Sequence, residues 1–139
     1  MQGSQGQPRA VIVHAAREVA VVLECAGARP VALLSAPGAA AYIGVVGFRA
    51  LVEAHGALSL AILDAADAPG HALAAMRAGF GAVVLSPAVP AFAGVARIAL
   101  GSGVRLLPKA PPALDLARVD LAKPQGLRHL ESWLALPDP

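Results

Sequence analysis

The chain has 139 residues, one cysteine and a formal net charge of +2. That length fits one domain, a lone cysteine excludes an intrachain disulfide, and a charged fraction of 14% is sparse against an average of about 25%. The 11 basic residues are scattered without interleaved aromatics, which argues against a nucleic-acid surface.

Hydrophobic residues reach 57%, so a membrane reading has to be weighed. Two uncharged stretches of 19 residues, Pro30–Phe48 and Ala78–Ala96, approach the length of a span. Both are interrupted by turn chemistry, Ser35-Ala36-Pro37-Gly38 in the first and Ser86-Pro87 with Pro90 in the second. Such breaks leave backbone groups unpaired, which lipid does not tolerate. Neither a membrane segment nor a signal peptide is expected, since the first eight residues are polar and uncharged rather than basic then apolar, and the expected location is the cytoplasm.

Residues 1–8 read as a flexible tail. From there the chain alternates. Apolar runs of strand length occur at Ala10–Val13, Val31–Leu34, Leu58–Leu63, Ala82–Leu85 and Val104–Leu107. Their β-branched content and lack of polar alternation suit strands buried on both faces. Between them the spacing predicts helices over Ala15–Ala26, Ala39–Ala54, Gly70–Ala78 and Val89–Leu100, several closed by glycine. Asp67 ahead of Pro69 reads as a capping residue before a first-turn proline.

Strand and helix repeating at about 25 residues means βαβ units and parallel strands. The expected fold class is a single three-layer α/β/α domain over residues 9–108, built on a five-stranded, mostly parallel, doubly wound sheet. The strand orders that fit are 2-1-3-4-5, as in flavodoxin-like folds, and 3-2-1-4-5, as in Rossmann-like folds. A closed eight-stranded barrel would need about 250 residues. Residues 109–139 read as a linker, Lys109-Ala110-Pro111-Pro112, and a last helix over Pro124–Leu136 that packs on the domain or on a partner subunit.

Ala39–Phe48 carries no charge, although a surface helix normally keeps a polar face. Homo-oligomerisation through Ala39–Ala54, the C-terminal segment or both is therefore expected.

In open parallel sheets ligands bind beyond the carboxyl ends of the strands. Each strand delivers a polar group there: His14, Ser35 with Gly38, Asp64 with Asp67, Ser86, and Lys109. His14, Asp64 and Lys109 are the catalytic candidates, with Asp64 orienting the His14 imidazole. Ser35, Gly38, Asp67 and Ser86 are the ligand-binding candidates, because a strand running into a helix start offers free N–H groups to an anion. No nucleotide fingerprint, metal-ligand spacing or nucleophile elbow is present, so no metal or cofactor is expected.

Residues 58–87, LSLAILDAADAPGHALAAMRAGFGAVVLSP, resemble the last strands of response-regulator receiver domains. The family's paired acids after strand one are here His14-Ala15, and Ser35 stands where it has its phosphorylated aspartate. The resemblance therefore brings no phosphotransfer. The stretch AGFGAVVLSP through GVRLLP is similar to keto-deoxy-phosphogluconate aldolases, whose Schiff-base lysine has no counterpart here. Three functions fit the residues: a binding or regulatory domain for a small anionic metabolite, a small oligomeric lyase or isomerase, and a ligand-free interaction module.

Overall fold

The structure is a computed structural model and describes residues 8–136; the first seven residues of the expected tail lie outside that range. Six strands are formed: β1 (Arg9–Ile12), β2 (Val31–Leu34), β3 (Ala61–Asp64), β4 (Ala82–Val84), β5 (Arg105–Leu107) and β6 (Ala113–Asp115). The helices are α1 (Ala16–Ala26), α2 (Gly44–Glu53), α3 (Pro69–Arg77), α4 (Phe92–Ser102) and α5 (Pro124–Ala135). Short 3-10 turns cover Ala39–Ala41, Leu58–Leu60 and Leu116–Arg118.

Every pairing is parallel, and the α/β class stands as expected. The strand count and order do not. Six strands run in the order β5-β4-β3-β2-β1-β6, which corrects both anticipated orders. The sixth strand, Ala113–Asp115, lies inside the expected linker and pairs with β1. Three residues after two prolines are too few to show a period, which is why pattern reading passes over them.

The order fixes which face each helix covers. From β1 to β5 each crossover steps to the same side, and right-handed crossovers that never reverse place their helices on one face. Buried residues of all five helices accordingly share one cluster: Val19 and Val22, Phe48 and Val52, Ala72 and Ala75, Val95, Leu130 and Leu134. They pack on one set of alternating strand residues, Val11, Leu33, Ala61, Leu63 and Val83. Phe48 stacks on Phe80 across this layer, with ring centroids 5.9 Å apart.

The opposite face gathers Ala10, Ala32, Leu34, Ile62, Ala82 and Val84, with Ile12, Leu107, Ala110 and Ala113 around them. Among the described residues the third layer is therefore the strap between β5 and β6, with no helix. Chain length then dictates curvature. In a flat sheet five inter-strand steps would separate β5 from β6 by roughly 24 Å. The six peptide steps from Leu107 to Ala113 span at most about 22 Å even when fully extended. The sheet must curl until the strap, Pro108–Pro112, bridges its two edges. Alanines on the concave side suit this, since curling crowds the side chains there.

The second predicted helix splits at Gly44, whose φ of +80° turns the chain between the 3-10 turn and α2. Asp67 does not cap α3: the N-cap position is Ala68, with no side-chain cap. The last helix docks on this same chain. Leu130 and Leu134 enter the core, and Trp133 Nε1 donates to Ala10 O at 2.9 Å, fastening α5 to β1. The guanidinium of Arg9 lies 4.7 Å from the Trp133 ring centre.

Candidate functional site

Two places on the sheet gather chemistry: the carboxyl rim and the concave face. Side-chain alternation puts Ile12 and Leu34 on the concave face, and the same parity continues to His14, Asp64 and Asp115 at the rim.

At the rim β1 and β6 are neighbours, with Ile12 opposite Asp115. Two residues past Ile12, His14 reaches back to that ladder end, and its Nε2 meets Asp115 Oδ1 at 2.7 Å. The same Oδ1 accepts from the Ala117 backbone N–H at 2.9 Å, and Glu18 Oε1 accepts from the His14 backbone N–H at 2.6 Å. Burial pushes the Asp115 carboxyl up, but the bonds from His14 and Ala117 and the charges of His14 and Arg118 outweigh it, leaving it below the usual 3.8. The anticipated partner of His14 was Asp64. Strand order explains the difference, because β2 separates β1 from β3 whereas β6 lies directly beside β1.

Asp64 sits in a network of its own. It is 5% exposed, and Ser35 is fully buried. Ser35 Oγ accepts from the Asp64 backbone N–H at 2.8 Å, and Asp64 Oδ1 accepts from the Ala66 N–H at 2.9 Å. Ala66 holds φ = 55°, a left-handed conformation that costs a side-chain-bearing residue roughly 1–2 kcal/mol. Its carbonyl accepts from the Ser86 N–H at 2.7 Å. Desolvation raises the Asp64 pKa above the usual 3.8, opposed by the Ala66 bond. The network ties the tips of β2, β3 and β4 together. Gly38 joins it with a left-handed φ of +68°, which lets its N–H reach the Asp64 carbonyl at 3.3 Å. Ser86 Oγ accepts from the Ala88 N–H at 3.2 Å, closing its own turn. Asp67 is exposed.

Lys109 stands elsewhere. It lines a cavity of about 220 Å³ on the concave face, between the sheet and the strap, with Arg105, Ala32, Ile62, Leu107, Ala110, Pro8, Pro111 and Pro112. A second hollow of about 260 Å³ shares Pro8, Ala32, Ile62 and Arg105 and continues past the amino ends of β2 to β5. Among the described lining residues of the first cavity, Arg105 and Lys109 are the charged ones; the rest are apolar.

Sequence reasoning missed Arg105, Asp115 and Glu18. Arg105 opens a strand and reads as an edge charge. Its spacing of two from Leu107 and of four from Lys109 carried the signal, since that parity sets all three on one face of the chain. Cys25 is half-buried against the helical layer. Burial pushes its thiol up, as do Glu131 and Glu24, against the opposing charge of Arg29. That suits a packing residue, since the thiolate is the reactive form.

Among the described residues no helix is long and apolar enough to cross a membrane, and no three His, Cys, Asp or Glu side chains gather as a metal site. The chain thus defines a class, a parallel α/β domain whose curled sheet is helix-covered on its outer side and strapped across its hollow. No family model matches it and no curated protein matches its sequence.

Proposed function

We propose that this domain binds a small anion with an apolar body, seated on the concave face between the sheet and the strap. The observation that carries this reading is the pairing of Arg105 and Lys109 on the wall of an otherwise apolar cavity. Arg105 and Lys109 are exposed where they edge the cavity and so are free to meet an anion, and a pocket of mostly apolar lining with a few polar groups is the usual form of a small-molecule site. The ligand is thereby moved from the rim to the hollow. At the rim Ser35, Gly38 and Ser86 engage backbone in the turns, and Asp64, Asp67, Glu18 and Asp115 oppose an anion.

A thermal-shift series from acetate to octanoate, with inorganic phosphate alongside, tests the reading. Stabilisation should appear with the longer carboxylates and fade in Arg105→Ala and Lys109→Ala; a hundredfold excess over the dissociation constant stabilises by roughly 2.7 kcal/mol. A response to phosphate alone, or an equal response in the variants, would overturn it.

Self-association belongs to the same proposal. Tyr42 is 69% and Val46 77% exposed along the segment expected to make the contact, with Ile43 between them. Sedimentation velocity of Val46→Glu against the unaltered chain checks this: the proposal expects a fall in sedimentation coefficient, and two identical monomers would exclude it.

A further inference from the structure

The pair at the rim has a chemistry that the cavity does not use. Asp115 keeps its carboxylate ionised and fixed by the Ala117 N–H. An ionised carboxylate only accepts hydrogen bonds. The hydrogen in the His14–Asp115 contact therefore belongs to Nε2, and a neutral His14 carries its lone pair on Nδ1. Among the described residues Nδ1 has no hydrogen-bond partner, and the side chain is 35% exposed. The backbone at His14 is pinned as well, through Glu18. An imidazole with one nitrogen held by a carboxylate and the other open is arranged to accept a proton and to hold the resulting cation.

The place fits. Chain connections leave β1 toward β2 on one side, while β6 lies on the other. His14 and Asp115 thus stand side by side at the carboxyl ends of neighbouring parallel strands, the end of the sheet at which parallel α/β folds bind ligands. The groups in contact with the pair are Glu18 on α1, which holds the His14 backbone N–H, Asp115 on β6 and Arg118 on the turn that follows. Glu18 and Asp115 are acceptors, as is Nδ1. With Arg118 offsetting one of the two carboxylate charges, they suit a neutral molecule rich in hydroxyl donors.

We propose that His14 is the base of a second, proton-transfer site, with Asp115 as its positioning residue, and that the site takes neutral hydroxyl-bearing molecules such as reducing sugars. The simplest reaction such a pair supports is opening of a cyclic hemiacetal. The anomeric hydroxyl gives its proton to Nδ1 and the carbonyl double bond forms at the anomeric carbon. The bond from that carbon to the ring oxygen breaks, and the imidazolium returns the proton to the ring oxygen. Nothing is oxidised or reduced, and no co-reactant is consumed.

Two measurements on the full chain test this. In ¹⁵N-detected spectra neutral His14 should be the Nε2–H tautomer, and Asp115→Asn should shift it toward the Nδ1–H form. By polarimetry the unaltered chain should accelerate mutarotation of α-D-glucose at least tenfold over free imidazole at equal concentration. His14→Gln should fall to the buffer rate and Asp115→Asn should lose most of the acceleration. Thermal melts of both variants verify that they are folded. A tautomer that ignores Asp115→Asn would overturn the positioning role, and a rate equal in the unaltered chain and His14→Gln would overturn the site.

Discussion

Replacing Asp64 separates two reasons for keeping a carboxylate at the tip of β3. Its Oδ1 accepts from the Ala66 N–H at 2.9 Å and so holds Ala66 at φ = 55°. Asp64→Asn keeps an acceptor in that place and removes a charge that burial disfavours. Asp64→Ala leaves the Ala66 N–H without its partner, which costs about 1–3 kcal/mol, and frees the strained turn to relax. The expected order of stability at neutral pH is therefore Asn at or above the unaltered chain, and Ala about 2 kcal/mol below it. The pH sign follows from the raised pKa. A carboxyl that holds its proton more tightly when folded favours the fold at low pH, and this advantage fades as pH rises through 3.8 and above. Asp64→Asn should remove that component. Urea denaturation of the three proteins at several pH values reads both effects. If Asn were as damaging as Ala, the charge itself would be needed, and the account of Asp64 as a turn acceptor would be refuted.

Other perturbations have equally definite signs. Gly126→Ala should destabilise by about 1–3 kcal/mol, the range for an overpacked site, because an added Cβ would run into the Asp120 carbonyl oxygen; a melt showing a gain would mean helix propensity outweighs the clash. Trp133→Phe removes the hydrogen bond to Ala10 O and should cost about 1 kcal/mol in a denaturant titration, with no loss if α5 is held by its leucines alone. Asp115, with its lowered pKa, supports the fold above pH 3.8, and that support disappears as pH falls below it. His14→Ala should therefore shrink the acid-side loss of stability, and an unchanged acid limb would contradict the pairing.

Much of the fold was legible because buried strands and amphipathic helices leave periodic traces. Val31–Leu34 was placed to the residue, and α1, α3 and α5 to within a position or two. Strand order was not legible. It depends on which neighbour each crossover selects, and 25-residue spacing is the same for a winding that reverses and for one that does not. The decisive piece was Ala113–Asp115, too short to carry a period, whose pairing with β1 sets Asp115 beside His14. Reading the carboxyl ends of the strands did bring His14 and Asp64 to the rim, but the strap folds back over the hollow and takes Lys109 away from it.

The central claim, an anion held in the hollow, is tested most directly by following the methyl groups of Ala32, Ile62 and Ala110 by NMR while hexanoate is added. The account predicts saturable shifts at these three, weakened at least tenfold in an Arg105→Ala, Lys109→Ala double variant that still folds. Shifts confined to other surfaces, or equal in the double variant, would contradict it.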